Sequence, residues 1–347
     1  MAAGAIPERV SIGVVGLGHW GPNLARNFAA LQDVDVTWLC DGNSDALERQ
    51  RPGHPSAKLT ASIDDLLDDD QLDAVVVAAP VPAHAELATR VLAANKHVFV
   101  EKPLGATLAE AEQLVTAAQS GDRIVMVGHL LEYHPAVERL KAMIDAGELG
   151  EIRYVYSTRL NLGKLRTDEN ALWSLGPHDV SVALALIGEE PIEVSAHGEA
   201  YMNAGVEDVV FGYMRFPSGI ASHLHLSWLD PHKERRITVV GSEKMATFDD
   251  MRIEGKLTVY DKGFDQNFES YGEYLARSGD ITQPHISNEE PLRIECRHFV
   301  ECIRSGETPR TDALSGLRTV RVLESLQNSL DAAASRGASA TEGVTSG

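Results

Sequence analysis

The chain has 347 residues, enough for two domains of ordinary size, and its 44% hydrophobic and 24% charged side chains suit a globular protein with a large interior. Against 31 basic residues stand 51 acidic ones, and a formal charge of -20 argues against nucleic acid or an anionic membrane as partner. No apolar run reaches the ~20 residues of a membrane-spanning helix, and the opening MAAGAIPERV lacks the basic and apolar regions of a signal peptide, so the cytoplasm is the expected location.

Residues 11–15 are almost all apolar, as a parallel strand covered on both faces should be. The run breaks into Gly16-Leu17-Gly18-His19-Trp20-Gly21, the spacing at which a strand turns into a helix and offers backbone N–H groups to a pyrophosphate. Residues 22–31 carry Pro22 in the first turn and Leu24, Phe28 and Leu31 on one helical face. A second strand over 34–40 ends at Asp41, 20 residues beyond Gly21, where a carboxylate accepts from the ribose hydroxyls and repels a 2′-phosphate. NAD is therefore expected over NADP.

The alternation continues with strands at 73–78, 97–100 and 124–127 and helices at 86–94 and 108–118. Such βα units predict a doubly wound parallel sheet, here a dinucleotide-binding domain over residues 1–128. Ala79, Pro80 and His84 follow a strand and are expected near the nicotinamide, with packing at the helix start an equal reading for His84. The acidic cluster Asp64, Asp65, Asp68, Asp69 and Asp70 reads as a solvated helix end, and no metal is expected. Cys40, Cys296 and Cys302 have no CxxC spacing and read as reduced structural thiols.

From Gly128 the texture changes. A helix over 136–146 is followed by alternating strands at 152–160, 193–201, 208–216, 220–228, 235–241 and 256–260, joined by polar turns. They predict an open, mostly antiparallel sheet in an α+β substrate domain over 129–330. Helices over 292–305 and 312–330 close the pattern, the latter able to pack back on the first domain, and the Ala/Ser/Gly/Thr-rich residues 331–347 are expected to fray. His223 and His225, two apart on one strand, share a face and suit packing or an interface.

Glu101-Lys102-Pro103-Leu104 directly follows the strand HVFV. Together with the glycine turn and Ala78-Ala79-Pro80, it resembles the glucose-fructose oxidoreductase/inositol dehydrogenase (Gfo/Idh/MocA) family of NAD(P)-dependent dehydrogenases, along nearly the whole chain. The resemblance implies that Lys102 contacts the substrate hydroxyl and steers hydride transfer, with a cis bond to Pro103. It also places Gly16, Gly18, His19, Trp20, Gly21, Asp41, Ala79, Pro80, His84, Glu101 and Lys102 at the cofactor.

In Trp173-Ser174-Leu175-Gly176-Pro177-His178-Asp179, read as the opening of a helix that runs to Ile187, His178 matches the family histidine and is the expected general base. Ser174 stands where the family commonly has Asp, and Asp179 either orients the imidazole or favours the helix N-terminus. Basic residues in 158–173 (Arg159, Lys164, Arg166) and in 228–236 (Lys233, Arg235, Arg236) resemble the nucleotide-sugar branch, which acts at C3 of UDP- or dTDP-linked hexoses. Substrate contacts are thus expected from Lys102, Tyr133, Arg159, Asn161, Arg166, Ser174, His178 and Arg235, in a homodimer or homotetramer. The competing readings are a free-sugar or inositol dehydrogenase and, from another class, a non-catalytic NAD-binding sensor.

Overall fold

The computed structural model of the chain describes residues 9–163, 165–167, 169–266 and 274–344; Lys164 lies outside them. The chain forms two compact units, Met1–Tyr133 with Glu289–Val320, and His134–Asn288 with Arg321–Gly347.

The first unit alternates strand and helix: β1 (Val10–Val15), α1 (Gly21–Ala29), β2 (Val34–Cys40), α2 (Ser44–Gln50), β3 (Lys58–Thr60), α3 (Asp64–Leu67), β4 (Ala74–Val77), α4 (His84–Ala93), β5 (His97–Glu101), α5 (Leu108–Gln119) and β6 (Val125–Gly128). Its six strands pair in parallel in the order β3-β2-β1-β4-β5-β6. The order reverses between β1 and β4, which opens a crevice at the carboxyl ends of these strands, where doubly wound sheets hold ligands. β4 is buried along its whole length, as its run of valines requires. Three short elements escape the periodicity: α2, β3 and α3 have seven, three and four residues. In the acidic cluster, Asp69 accepts from the Trp38 indole at 2.8 Å and Lys58 at 3.1 Å, which holds its carboxyl down at about 2.

The second unit begins with α6 (Pro135–Asp145), β7 (Ile152–Leu162) and α7 (Ala171–Ile187). It continues through β8 (Glu193–Glu199), β9 (Val209–Arg215), β10 (Ala221–Ser227), β11 (Leu229–Gly241), β12 (Met245–Asp249), β13 (Leu257–Gln266) and β14 (Tyr274–Thr282). These eight strands form one sheet in the order β14-β13-β12-β11-β7-β10-β9-β8, antiparallel except for β7 beside β10. β12 and β14 are additions to the six expected strands. One sheet face buries Val210, Met214, Leu224 and Leu226 in the core with Val180 and Ala183 of α7. The other leaves Phe211, Tyr213 and His223 exposed.

The chain then returns with α8 (Pro291–Ser305) and ends in α9 (Ala313–Val344). Placed by sequence in the substrate domain, α8 belongs to the first unit, because Leu292, Cys296, Phe299 and Val300 complete that core. Phe299 meets Phe28 and Phe99 edge-on, at ring separations of 6.1 and 5.7 Å. α9 serves both units in turn: its residues up to Val320 count with the first, and Val322, Leu323, Leu326 and Leu330 join the second core. Its backbone stays helical through Val344, whereas the small-residue composition predicts fraying from Asp331.

Candidate active site

In the first unit the glycines divide the work of the β1–α1 turn. Gly16 has φ +91°, and a Cβ there would meet the Ala78 carbonyl at 2.6 Å, so this position demands glycine twice over. At Gly21 a Cβ would stand 1.8 Å from the Gly16 oxygen, which lets α1 start tight against the strand end. Gly18 is different: a Cβ would have nothing within 4 Å, so this glycine borders open space. α1 begins without a side-chain cap and without an acidic residue in its first turn, leaving its positive end uncompensated. Asp41 leaves β2 beside this loop; its Oδ2 accepts from Leu17 N at 2.6 Å and its Oδ1 from Asn43 N at 2.8 Å. An open cradle, a bare helix N-terminus and a carboxylate at the second strand end fit a dinucleotide.

Lys102 follows the last residue of β5 and is half-buried, with a cis bond to Pro103. Glu101 is buried, its Oε2 accepting from Lys102 N at 3.2 Å and its carboxyl also accepting from the Trp20 side chain. Burial lifts the Glu101 carboxyl to about 7, although the Lys102 charge and these hydrogen bonds pull it down. Trp20 therefore has its polar edge committed to Glu101, while His19 is exposed.

Two further buried groups surround this strand end and were not singled out from sequence. His129, one residue after β6, is 1% exposed with no hydrogen-bond partner on either ring nitrogen among the described residues. Burial, and next the Lys102 charge, push it down to about 3, so it is neutral. Glu295 of α8 is fully buried, with both oxygens likewise unpaired. Burial, then the charges of Glu101 and Glu132, raise it well above the usual carboxylate range. His129 was findable, since it ends a parallel strand at the ligand edge; Glu295 carries no such signal.

For His84 the structure takes the packing reading of the two, and for Tyr133 the assignment changes. His84 turns inward rather than to a ligand: its Nδ1 lies 2.8 Å from the Pro103 carbonyl and its Nε2 2.8 Å from the Ala79 carbonyl. Tyr133, expected at the substrate, is 0% exposed in the core, its hydroxyl 3.0 Å from Thr311 Oγ1 and its ring under the Arg310 guanidinium. The cause is its place on a short turn, Leu130–Tyr133, whose aromatic side packs inward.

In the second unit His178 lies inside α7, seven residues past its first residue Ala171, and not at a helix start. The start is earlier because Asn170 caps it, accepting from Trp173 N at 3.1 Å. Pro177 sits within the helix, where it can donate no backbone bond. Ser174 precedes His178 by one turn, so the two share a helix face, and both are half-buried.

Asp179 neither orients the imidazole nor marks a helix end. Its Oδ2 is paired with Arg159 Nε of β7, the two side chains being 1% and 10% exposed. Arg159 is thereby committed inside the protein instead of reaching for a ligand. Arg235 of β11 is its cross-strand partner, so both point to the same sheet face, as does Asn161, two residues along β7. Arg235 pairs at 3.5 Å with Asp250, and Arg166 at 2.9 Å with Glu169; both arginines keep exposed guanidinium surface. Asn161 Oδ1 is buried and unpaired among the described residues.

His223 and His225 stack on different rings, Tyr156 at 5.2 Å and Phe211 at 4.4 Å. Among the described residues no group of three or more His, Cys, Asp or Glu is arranged to hold a metal ion, and no helix is long and apolar enough to cross a membrane. The three cysteines are free and buried.

Comparison with known proteins follows the same division. The model of an oxidoreductase family with an NAD-binding Rossmann fold, GFO/IDH/MocA, matches residues 10–129, and that of the GFO/IDH/MocA C-terminal domain matches residues 137–247. The scyllo-inositol 2-dehydrogenase (NAD(+)) of Bacillus subtilis is 26% identical over 314 residues, covering 87% of this chain and 88% of that protein. The UDP-N-acetylglucosamine 3-dehydrogenase of Acidithiobacillus ferrooxidans is 29% identical over 256 residues, covering 72% and 77%. A crystal structure from Magnetospirillum magnetotacticum superposes with a TM-score of 0.79 at 30% identity, covering 92% of this chain and 99% of that one.

Proposed function

Since the chain belongs to the Gfo/Idh/MocA oxidoreductases, we propose that it transfers hydride between the nicotinamide of NAD and a ring carbon, C3, of a nucleotide-linked sugar. The observation that carries the cofactor half is the open cradle at Gly18 over the bare start of α1, with Asp41 beside it. Asp41 supports NAD, because a 2′-phosphate would meet its carboxylate. The nucleotide-sugar half is supported by the relative that acts on UDP-N-acetylglucosamine and by Arg166 and Arg235, whose exposed forks suit a diphosphate.

When bound, the nicotinamide supplies the two-electron acceptor. Oxidation of a CH–OH group also releases the hydroxyl proton. His178 takes that proton as general base, histidine being the side chain that ordinarily titrates near neutrality, and the Lys102 ammonium stabilises the developing oxyanion. With Ser174 on the same helix face as His178, no carboxylate one turn earlier assists the imidazole.

Inositol oxidation is the second reading, favoured by the inositol dehydrogenase relative. The free, buried thiols suit a reducing compartment, so we assign the enzyme to the cytoplasm. The aromatic open face of the sheet supports assembly into a homodimer or homotetramer.

NADH formation should be measured with UDP- and dTDP-hexoses and with inositols, on wild type and Lys102→Ala. Turnover on a nucleotide sugar that falls about 100-fold or more in the variant is the expected result. Activity with inositols alone overturns the substrate class, and an unchanged variant overturns the role of Lys102.

A further inference from the structure

His84 is the first residue of α4, 1% exposed, and holds two loops at once. Its Nδ1 lies 2.8 Å from the carbonyl of Pro103, in the turn that carries Lys102. Its Nε2 lies 2.8 Å from the carbonyl of Ala79, in the turn after β4. That second turn is itself the wall against which Gly16 packs, since Ala78 and Ala79 are what a Cβ at Gly16 would strike. One imidazole thus joins the lysine turn to the glycine loop through a continuous set of contacts.

Carbonyl oxygens only accept. A neutral imidazole has a single N–H, so it can donate to one carbonyl while its other nitrogen turns a lone pair towards the second. Only the imidazolium donates to both. We propose that His84 is a positioning residue for the Lys102 turn, which ties that turn to the cofactor loop fully when its ring holds two protons and through one carbonyl when it holds one.

The charged groups acting on the ring come from two elements. Lys102 at the end of β5 disfavours the imidazolium, and Glu110 of α5 favours it. Burial is the largest influence and lowers the histidine below its ordinary value, with the two carbonyls opposing. The doubly held arrangement therefore belongs to the acid side of the ordinary histidine range. Above it one turn is released, and with it part of the constraint on Lys102. The assignment rests on Lys102 acting in the reaction, so the test has to separate the two ideas.

Wild type, His84→Asn, His84→Ala and Lys102→Ala should be compared by steady-state kinetics, NADH binding and amide hydrogen exchange. For His84→Ala, kcat is expected to fall about tenfold or more while the NADH dissociation constant moves by less than about threefold, since displacing a reacting group costs rate more than binding. Protection should drop in the 79–83 and 101–106 turns and stay unchanged in β1 and β4. His84→Asn, which can still donate to one carbonyl, should fall between wild type and His84→Ala. In wild type, imidazole 15N spectra should show both His84 nitrogens protonated at the acid end of a titration and one at the alkaline end. Unchanged exchange in both turns, a loss of protection spread over the whole unit, or a ring with one unchanging proton overturns the brace. If Lys102→Ala leaves turnover intact, the catalytic reading of Lys102 fails, while the exchange and NMR results still decide whether His84 holds the turns.

Discussion

Glu295 shows how a single residue can be costly and unannounced. It sits on α8 among core residues, fully buried, with no partner for either carboxylate oxygen among the described residues. An unpaired buried carboxylate is expensive, so the group takes up a proton instead. Its folded pKa is raised above the unfolded value, which means the folded state binds more protons once the pH passes the ordinary carboxylate range. Stability therefore falls as pH rises from there towards the folded pKa, and Glu101, raised to about 7, adds the same trend between about 4.5 and 7. Glu295→Gln cannot ionise. Thermal melts from pH 5 to 8 should show a flatter dependence for this variant and a higher Tm than wild type at pH 8; equal slopes would refute the buried-proton account.

Neighbouring residues teach the opposite lesson. Gly16 and Gly21 were legible because each meets a backbone requirement that the spacing of the glycines states directly. Tyr133 was not, and for His84 packing and cofactor contact stood level, since whether a side chain turns to a ligand or to the core depends on which carbonyl or hydroxyl waits nearby. Thr311, 178 residues beyond Tyr133, is such a partner.

At the scale of elements, α7 is held to β7 by the ion pair of Asp179 and Arg159. Both residues were picked out by sequence, but for separate roles. A pair this buried adds little net stability over an apolar pair of similar volume, whereas loss of one member leaves an unpaired charge. Asp179→Asn should cost about 3–5 kcal/mol in denaturant unfolding, and Arg159→Met combined with Asp179→Leu should recover most of it. A single-variant loss below about 1 kcal/mol would show that the pair is solvated. The same helix illustrates a boundary error: the motif around His178 looked like a helix start, yet the Asn170 cap moved the start earlier and left His178 in the interior.

Strands of the second sheet were readable where one face is buried, because side chains alternate with period 2. β12 and β14 were missed: β12 has five residues, and β14 is the edge strand, where little burial pressure marks the pattern.

For the molecule as a whole, the open face of the eight-stranded sheet is the feature to test. Across it runs a register row of Ser195, Tyr213, His223, Tyr156, Thr238, Thr247 and Thr258. Beside it lies Phe211, 52% exposed. Placing a charge there, with Phe211→Asp, should shift the protein from dimer or tetramer to monomer in sedimentation velocity without loss of helical or sheet signal. A wild type that sediments as a monomer would remove the interface from consideration.

The parallel sheet of the first unit, the mostly antiparallel sheet of the second and the tight turn at Gly16 and Gly21 were legible in the sequence alone. Local periodicity and turn chemistry act over a few residues and leave their pattern in the chain. Tertiary structure decided that α8 completes the first core and that α9 contributes to both. It also decided that Arg159 is spent on Asp179, that Tyr133 is core, and that His84 braces two turns. Each of these depends on which elements and turns pack together, where burial and the nearest unpaired donor or acceptor choose the partner.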